Sequence, residues 1–482
     1  MKQYELFIDG KFLPNGDRKM IPVINPSTEE VISEIPAATK EDADCAVLAA
    51  EAAQKDWAKK APIERAKYLR EIAALVRENG EMIARTIAEE QGKTMGLSRV
   101  EAYFTADYMD YMAEWARRYE GEIVNSDSAN ENILIYKLPI GVAAGILPWN
   151  FPFFLIARKM APALVTGNTI VIKPSTETPN NAYEFAKLVA KSSLPHGVFN
   201  MITGSGAIVG QALASNPKVG IVSMTGSVPA GAAIMAAAAP NFTKVSLELG
   251  GKAPAIVMAD ADLDLAARCI RDSRTINSGQ VCNCAERVYV QESVADAFSE
   301  KIVARMKEAR FGNVLEDETL DYGPMINKTQ LDSVEQDVEE AVADGAKCIL
   351  GGHRVDKGKG FWFPPTVLVN CRQDMSIMHK EIFGPVLPIA TFKTLDEAIF
   401  MANDCEFGLT SSIYTNDMNV VMRACNEIKF GETYVNRHNF EAMQGFHAGF
   451  RKSGIGGADG KHGLEEYLQT HVVYIQYDNK KQ

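Results

Sequence analysis

The sequence predicts an α/β protein built from a doubly wound parallel sheet, a second α/β domain and a small β flap. Three observations predict this. The chain has 482 residues, more than one hydrophobic core usually serves, so two or three domains are expected. From Val142 onward, short apolar runs alternate with longer helical segments, the pattern of parallel strands covered by helices on both faces. Two β-rich stretches, 121–138 and 470–477, stand outside that alternation and are left to form the flap.

Taken in order, residues 1–36 read as short strands and turns. A strand at 5–8 meets a turn at Asp9 and Gly10, Phe12 follows, and a second turn falls at Asn15 and Gly16. Thr39, with Glu41 and Asp42 behind it, caps the first of several Ala-rich amphipathic helices that run to about Tyr119. Residues 121–138 form a hairpin around the polar string NSDSANEN. Strands are expected at 142–148, 168–174, 199–204 and 219–226, with helices at 153–167 and 179–193. A second α/β run starts near Val245. Its helices lie around 261–274, 292–310 and 327–345, and its strands near 253–258, 286–291 and 366–370. A helix at 463–469 leads into the last β segment, THVVYIQY, which pairs within the chain or with a neighbouring subunit's sheet.

Composition excludes several classes. Hydrophobic residues at 46% and charged residues at 23% describe an ordinary globular protein. No run of eighteen apolar residues occurs, and no apolar stretch follows the first lysine, so neither a spanning helix nor a secretory signal is expected. The net charge of -12, without a dense basic run before the last few residues, argues against nucleic acid as a partner. The eight cysteines (Cys45, Cys269, Cys282, Cys284, Cys348, Cys371, Cys405 and Cys425) lack a disulfide-scaffold spacing, which suits a reducing, cytoplasmic setting. Cys282 and Cys284 are close neighbours, but no second C-x-C or nearby His completes a ligand set, so no metal is expected.

Four segments carry residues suited to chemistry. In SGQVCNCAER (278–287), Cys282 follows a Gly-Gln turn and precedes a strand, so it could stand at the mouth of a cleft as a nucleophile. The structural alternative is a small buried apolar residue. In LELGGKAP (247–254), Glu248 lies in an apolar run, where burial would raise its pKa and make it a general base near neutrality. Its alternative is the outer face of a strand. In ILPWNFPFF (146–154), Asn150 is the one amide in a rigid, dry loop, as an oxyanion donor must be. A turn asparagine bonded to its own backbone is the competing reading. SMTGSVPAG (223–231) leaves a strand and opens a helix whose N-terminus could hold phosphate, and VIKPS (171–175) puts Lys173 at a strand end, where open α/β sheets bind ligands.

The strings PWNFP, KPS, MTGS, LELGGK, GQVC and EIFGPV (381–386), in this order, resemble the aldehyde dehydrogenase superfamily over nearly the whole chain. The resemblance implies an NAD- or NADP-dependent oxidation of a small aldehyde. Cys282 would be the nucleophile, Glu248 the general base, and Asn150 the oxyanion donor with the Cys282 backbone N–H. Lys173 would contact the adenosine ribose, with Ser175 and Thr176 beside it. Gly226 and Ser227 would lie at the pyrophosphate, and Glu381 would hold the nicotinamide ribose with Phe383 packed nearby. Pro148, Trp149, Gly231 and Leu249 would line the cofactor. The implied division gives 1–120 and 139–246 to a cofactor domain, 247–465 to a catalytic domain, and 121–138 with 466–482 to a flap that joins subunits into a dimer or tetramer.

Two departures from the common pattern bear on specificity. Where many NAD-preferring relatives carry glutamate, this chain has Thr176, with Glu177 one residue later. Threonine would not repel a 2′-phosphate, so NADP is expected to be accepted, with NAD still open. The second departure is Arg158, where relatives acting on apolar aldehydes have an aromatic residue. With Asn283 and His447, Arg158 could form a polar pocket that grips a substrate hydroxyl or carboxylate. This set is similar to the branch of the superfamily acting on 2-hydroxyaldehydes such as lactaldehyde and glycolaldehyde. The succinic semialdehyde branch is the alternative, and there Cys284 could pair with Cys282 as a redox switch. A CoA-acylating enzyme and a non-catalytic binding or structural protein on the same fold are the other readings. Retention of Glu248 argues against the first, and retention of Cys282, Glu248 and Asn150 together against the second.

Overall fold

The computed structural model describes residues 1–478. Its largest sheet has eight strands, in the order Gly454–Ile455, Lys244–Glu248, Val219–Thr225, Val142–Ile146, Thr169–Lys173, Phe199–Met201, Leu6–Ile8 and Lys11–Leu13. The five strands from Lys244–Glu248 to Phe199–Met201 run parallel, and the edges are antiparallel. The central strands are apolar along their whole length because both faces are covered. Ile170 and Ile172 pack with the helix Phe154–Thr166, whereas Val171 faces Val47 and Ala50 of the helix Lys40–Trp57. From Val142–Ile146 the chain proceeds outward through two parallel strands. It then returns to place Val219–Thr225 on the other side. That reversal is the switch point at which such sheets open a crevice beyond their carboxyl ends.

The second sheet has seven strands, in the order Lys347–Leu350, Thr366–Val369, Val386–Phe392, Ala285–Gln291, Ala253–Val257, Thr410–Tyr414 and Glu432–Val435. All pairs are parallel except the first. The sequence pattern starts this run near Val245. Lys244–Glu248 instead pairs parallel with Val219–Thr225 inside the first sheet, and Gly454–Ile455 closes on its other side. Glu248 therefore ends a strand of the cofactor-type sheet while the rest of its motif crosses to the second sheet.

The third β element joins Glu122–Asn125, Glu131–Pro139 and Leu468–Gln476 in an antiparallel sheet. The late strand thus finds its partner within the chain, with Val472 opposite Ile135. Residues 479–482, assigned to the flap from sequence, lie outside the described residues. The Asp9–Gly10 turn closes the hairpin of Leu6–Ile8 and Lys11–Leu13 with both residues at positive φ, 52° and 72°, as a tight two-residue turn requires.

Candidate active site

Backbone contacts bring the sequence motifs together. After the helix Leu263–Thr275 the chain turns sharply, with Asn277 and Ser278 in the left-handed region at φ 48° and 60°. Such a conformation is held only by its surroundings. Ser278 Oγ donates to Gly323 O at 2.9 Å, and Gln280 Nε2 donates to Asn277 O at 3.1 Å. Gly279 lies so close to Gly384 that a Cβ would strike the carbonyl oxygen, and a Cβ on Gly251 would strike Cys282 O. The glycines of GQVC and LELGGK thus let the nucleophile segment lie directly against its two neighbours.

Cys282 is half-buried and stands where two cavities meet, sharing that position with Asn150 and Thr225. The first cavity, about 810 Å³ with its mouth included, is lined by Glu248, Arg158, Asn283 and Glu441 among aromatic and aliphatic side chains. The second, about 770 Å³, opens at the switch point of the large sheet. Pro148, Trp149, Gly226, Ser227, Leu249, Glu381 and Phe383 all line it.

The other expected cofactor residues do not line this second cavity. Lys173 is buried, its Nζ donates to Pro174 O at 3.0 Å, and burial pulls its pKa down to about 8. Ser175 Oγ accepts from Glu177 N at 3.2 Å, and Thr176 is half-buried beside it. Gly231 sits inside the helix Val228–Ala238, where a side chain would collide with Leu249, so it sets the approach of helix to strand.

The second cavity fits a dinucleotide by its own chemistry. Ser227 caps the helix Val228–Ala238 by accepting from Ala230 N, which leaves a helix N-terminus facing the cleft for phosphate. Glu381 accepts from Gly251 N at 2.8 Å, and burial followed by the nearby Glu286 raises its pKa to about 8. A buried carboxyl with spare acceptor capacity suits a ribose diol.

Asn150 is buried and held from three sides. Its Nδ2 donates to Gln280 O at 3.1 Å on the nucleophile segment, and its backbone oxygen accepts from Lys93 Nζ at 2.7 Å and Asn277 Nδ2 at 3.3 Å. Lys93 is ion-paired with Glu101, whose Oε1 accepts from Phe153 N and Phe154 N at 2.9 and 3.1 Å. Lys93 also stands 3.7 Å from the Phe151 ring centre. This buried pair fixes the loop that carries the amide.

Glu248 behaves opposite to the sequence expectation. Burial pushes its pKa up, but attraction to Lys159, then Arg158 and His447, outweighs burial and holds it at about 2. Thr225 Oγ1 donates to Oε2 at 2.8 Å, and Oε1 lies 3.2 Å from Lys159 Nζ. Oε1 is itself buried, with the Lys159 ammonium as its charged neighbour.

Arg158 does not offer a free guanidinium. Its Nε donates to Asp459 Oδ1 at 3.0 Å, its Nη2 bonds Asp459 Oδ2 and, at 3.0 Å, Glu441 Oε1, and its Nη1 is 3.8 Å from Glu248. Asn283 Nδ2 donates to Glu441 Oε2. His447 is buried and does not line the first cavity. Its Nδ1 lies 2.6 Å from Glu432 Oε1. Burial lowers its pKa, but Glu432 and Glu441 outweigh this and keep it well above the usual histidine range. Cys284 is sealed against Arg274, donates to Val281 O at 2.9 Å, and has its pKa pushed up to about 12 by burial. That setting does not present it for exchange with Cys282.

Sequence reasoning missed Lys93, Glu101, Lys159, Glu441 and Asp459. One signal was available: the helix Phe154–Thr166 is buried throughout yet carries Arg158 and Lys159 side by side, and buried cations require partners.

A cysteine between an amide-bearing loop, an ionised carboxylate and a dinucleotide cleft defines a dehydrogenase that works through a covalent thio-intermediate. The chain belongs to the aldehyde dehydrogenase family, which matches residues 12–473. It is 62% identical over 474 residues to lactaldehyde dehydrogenase of Escherichia coli K12, covering 98% of this chain and 99% of that one. A crystal structure of the Escherichia coli lactaldehyde dehydrogenase superposes with a TM-score of 0.98 over 98% of this chain and 99% of that chain. It is 38% identical over 480 residues to D-glyceraldehyde dehydrogenase (NADP(+)) of Thermoplasma acidophilum, covering 99% and 97% of the two chains. Betaine aldehyde dehydrogenase of Staphylococcus aureus in complex with NAD+ superposes at TM-score 0.96, 34% identical, over 99% and 96%.

Proposed function

We propose that the protein oxidises a small 2-hydroxyaldehyde of the lactaldehyde type to its carboxylate, with NAD or NADP as oxidant. The observation that carries this reading is the placement of Cys282 at the junction of a polar cavity and a dinucleotide cleft. Likeness to a lactaldehyde dehydrogenase over nearly the full chain supports the substrate class.

The aldehyde enters the first cavity, where Cys282 as the thiolate bonds its Sγ to the carbonyl carbon and the carbonyl π pair moves onto oxygen. The Asn150 amide, held rigid by Lys93 and Gln280, donates to the oxygen that becomes negative, in a setting already dry and oriented. Pro148, Trp149, Gly226, Ser227, Leu249, Glu381 and Phe383 would hold the nicotinamide cofactor, which when bound accepts the hydride from the substrate carbon. Cys282 is then left as a thioester. Glu248, ionised throughout the working range, takes the proton of a water as it attacks that thioester, the C–S bond breaks, and the carboxylic acid leaves with Cys282 returned as the thiolate. Arg158, Asn283 and Glu441 form the polar end of the aldehyde pocket. His447 is paired with Glu432 instead of lining that pocket.

Cys282→Ser abolishes oxidation and leaves cofactor binding intact. Glu248→Gln preserves the first burst of reduced cofactor and slows steady turnover by at least about 100-fold. Loss of the burst in that variant would contradict the base role.

The cofactor domain assigned to 1–120 and 139–246, the catalytic domain to 247–465 and the flap are part of the same reading. The flap leaves Ile123 80% and Tyr474 66% exposed on a three-stranded sheet, which supports assembly into a dimer or tetramer. Eight cysteines without a disulfide support a reducing cytoplasmic setting. Among the described residues, no helix is long and apolar enough to cross a membrane.

A further inference from the structure

Three charged side chains in the core take no part in the chemistry above. Glu286, on the strand Ala285–Gln291, is sealed from solvent together with Arg274 and Lys252. A buried ion cluster is often no more stabilising than apolar residues of the same volume, so stability alone is a poor reason for it. Glu286 lines neither cavity.

The cluster joins three segments. Glu286 Oε1 accepts from Arg274 Nη1 at 2.7 Å and from Phe383 N at 3.1 Å. Its Oε2 accepts from Lys252 Nζ at 2.8 Å and from Ile382 N at 3.1 Å. Arg274 Nη2 bonds the following carbonyl, Gly384 O. One carboxylate thus takes both amides of the turn after Glu381. Its two cations come from the helix Leu263–Thr275, which leads to the nucleophile, and from the LELGGK segment.

That turn needs a hold. Phe383 stands at φ 54°, a left-handed conformation that a residue other than glycine keeps only where its surroundings impose it. Gln330 Nε2 donates to Ile382 O and Phe383 O at 3.2 and 3.1 Å, which fixes the carbonyls as Glu286 fixes the amides. The two ends of the turn enter the cofactor cleft. Glu381 accepts from Gly251 N there, and the Phe383 ring meets Trp149 edge to face with centres 5.5 Å apart. Cys282, four residues before Glu286, lines the same cleft.

We propose that Glu286 is a positioning residue. By tying the turn Glu381–Phe383 to the segment that carries Cys282, it sets where the nicotinamide half of the cofactor lies relative to the reacting carbon. The inference rests on the assignment of the second cavity to the cofactor and of Cys282 to the aldehyde. It makes hydride transfer depend on Glu286 more steeply than the acyl chemistry of Cys282 does, because only the former needs the nicotinamide in place.

The test compares two reactions of the full-length enzyme. One is formation of reduced cofactor in the first turnover on lactaldehyde with saturating cofactor. The other is hydrolysis of p-nitrophenyl acetate without cofactor. There the Cys282 thiolate takes the acetyl group, p-nitrophenolate leaves with the bonding pair, and a water that gives its proton to Glu248 releases acetate and restores the thiolate. Glu286→Gln offers one acceptor where the carboxylate offers two. In that variant the ratio of the first rate to the second is expected to fall at least about tenfold. Glu286→Asp keeps the charge between Arg274 and Lys252 but withdraws the acceptor by about 1.5 Å, one carbon–carbon bond. It is expected to show the same fall, and it decides if the first variant does not fold. An unchanged ratio in the folded variant, including one where both rates drop together, overturns the proposal and leaves Glu286 a structural role. A wild type whose ester hydrolysis does not exceed that of Cys282→Ser contradicts the assignment of Cys282 itself, which is a different result.

Discussion

Lys159 and Glu248 meet 3.2 Å apart in a wholly buried setting, and that contact governs how the base titrates. Glu248 has its folded pKa depressed to about 2, so it stays ionised as pH falls through the ordinary carboxylate range, and it is neutralised only near pH 2. Lys159→Met removes the largest attraction and leaves burial to raise the pKa. The thioester-hydrolysis step should then acquire an acid limb between about pH 4 and 7, absent from wild type. Superimposable profiles for the two proteins would contradict this. A second prediction at this scale concerns Thr176. If it admits a 2′-phosphate, Thr176→Glu lowers kcat/KM with NADP at least tenfold and leaves NAD little changed. Cys282, Glu248 and Asn150 were legible because each is a lone polar group in an apolar or glycine-rich string. The partners of Arg158 were not, because Asp459 and Glu441 lie 301 and 283 residues away in the chain. The direction of the Glu248 shift depends on such distant partners, so a rule about burial alone gave the wrong sign.

The loop around Asn150 shows how whole elements set the site. Its backbone is pinned by Lys93, just beyond the helix Gly80–Gln91, and by Glu101 on the helix Met95–Glu114. Lys93→Met strands Glu101 in the core, a change that typically costs about 3–5 kcal/mol. The expected result is a fall in kcat of at least tenfold with cofactor affinity retained, plus a lowered Tm, and partial recovery in the double variant Lys93→Met with Glu101→Gln. Unchanged kcat in a destabilised protein would reduce the pair to a purely structural role. The alternation of strands and helices was readable because central parallel strands are continuously apolar and their covering helices amphipathic. The point where one sheet ends and the next begins was not. Lys244–Glu248 and Ala253–Val257 are successive apolar strands, and only their pairing partners separate them.

At the scale of the molecule, the flap and the two sheets have separate tasks. Exposed Ile123, Tyr136 and Tyr474 on the three-stranded sheet form the apolar surface on which the proposed assembly would rest. Ile123→Asp together with Tyr474→Asp is expected to shift the mass in static light scattering from an oligomer toward the monomer, and a monomeric wild type would remove the assembly reading. Turnover depends on the aldehyde carbon becoming bonded to one sulfur. The most direct measurement is mass spectrometry of Glu248→Gln quenched after mixing with lactaldehyde and cofactor. An acyl adduct on the peptide containing Cys282, absent when cofactor is omitted, is the predicted result. Reduced cofactor formed with no adduct on Cys282, or an adduct on another cysteine, would contradict it.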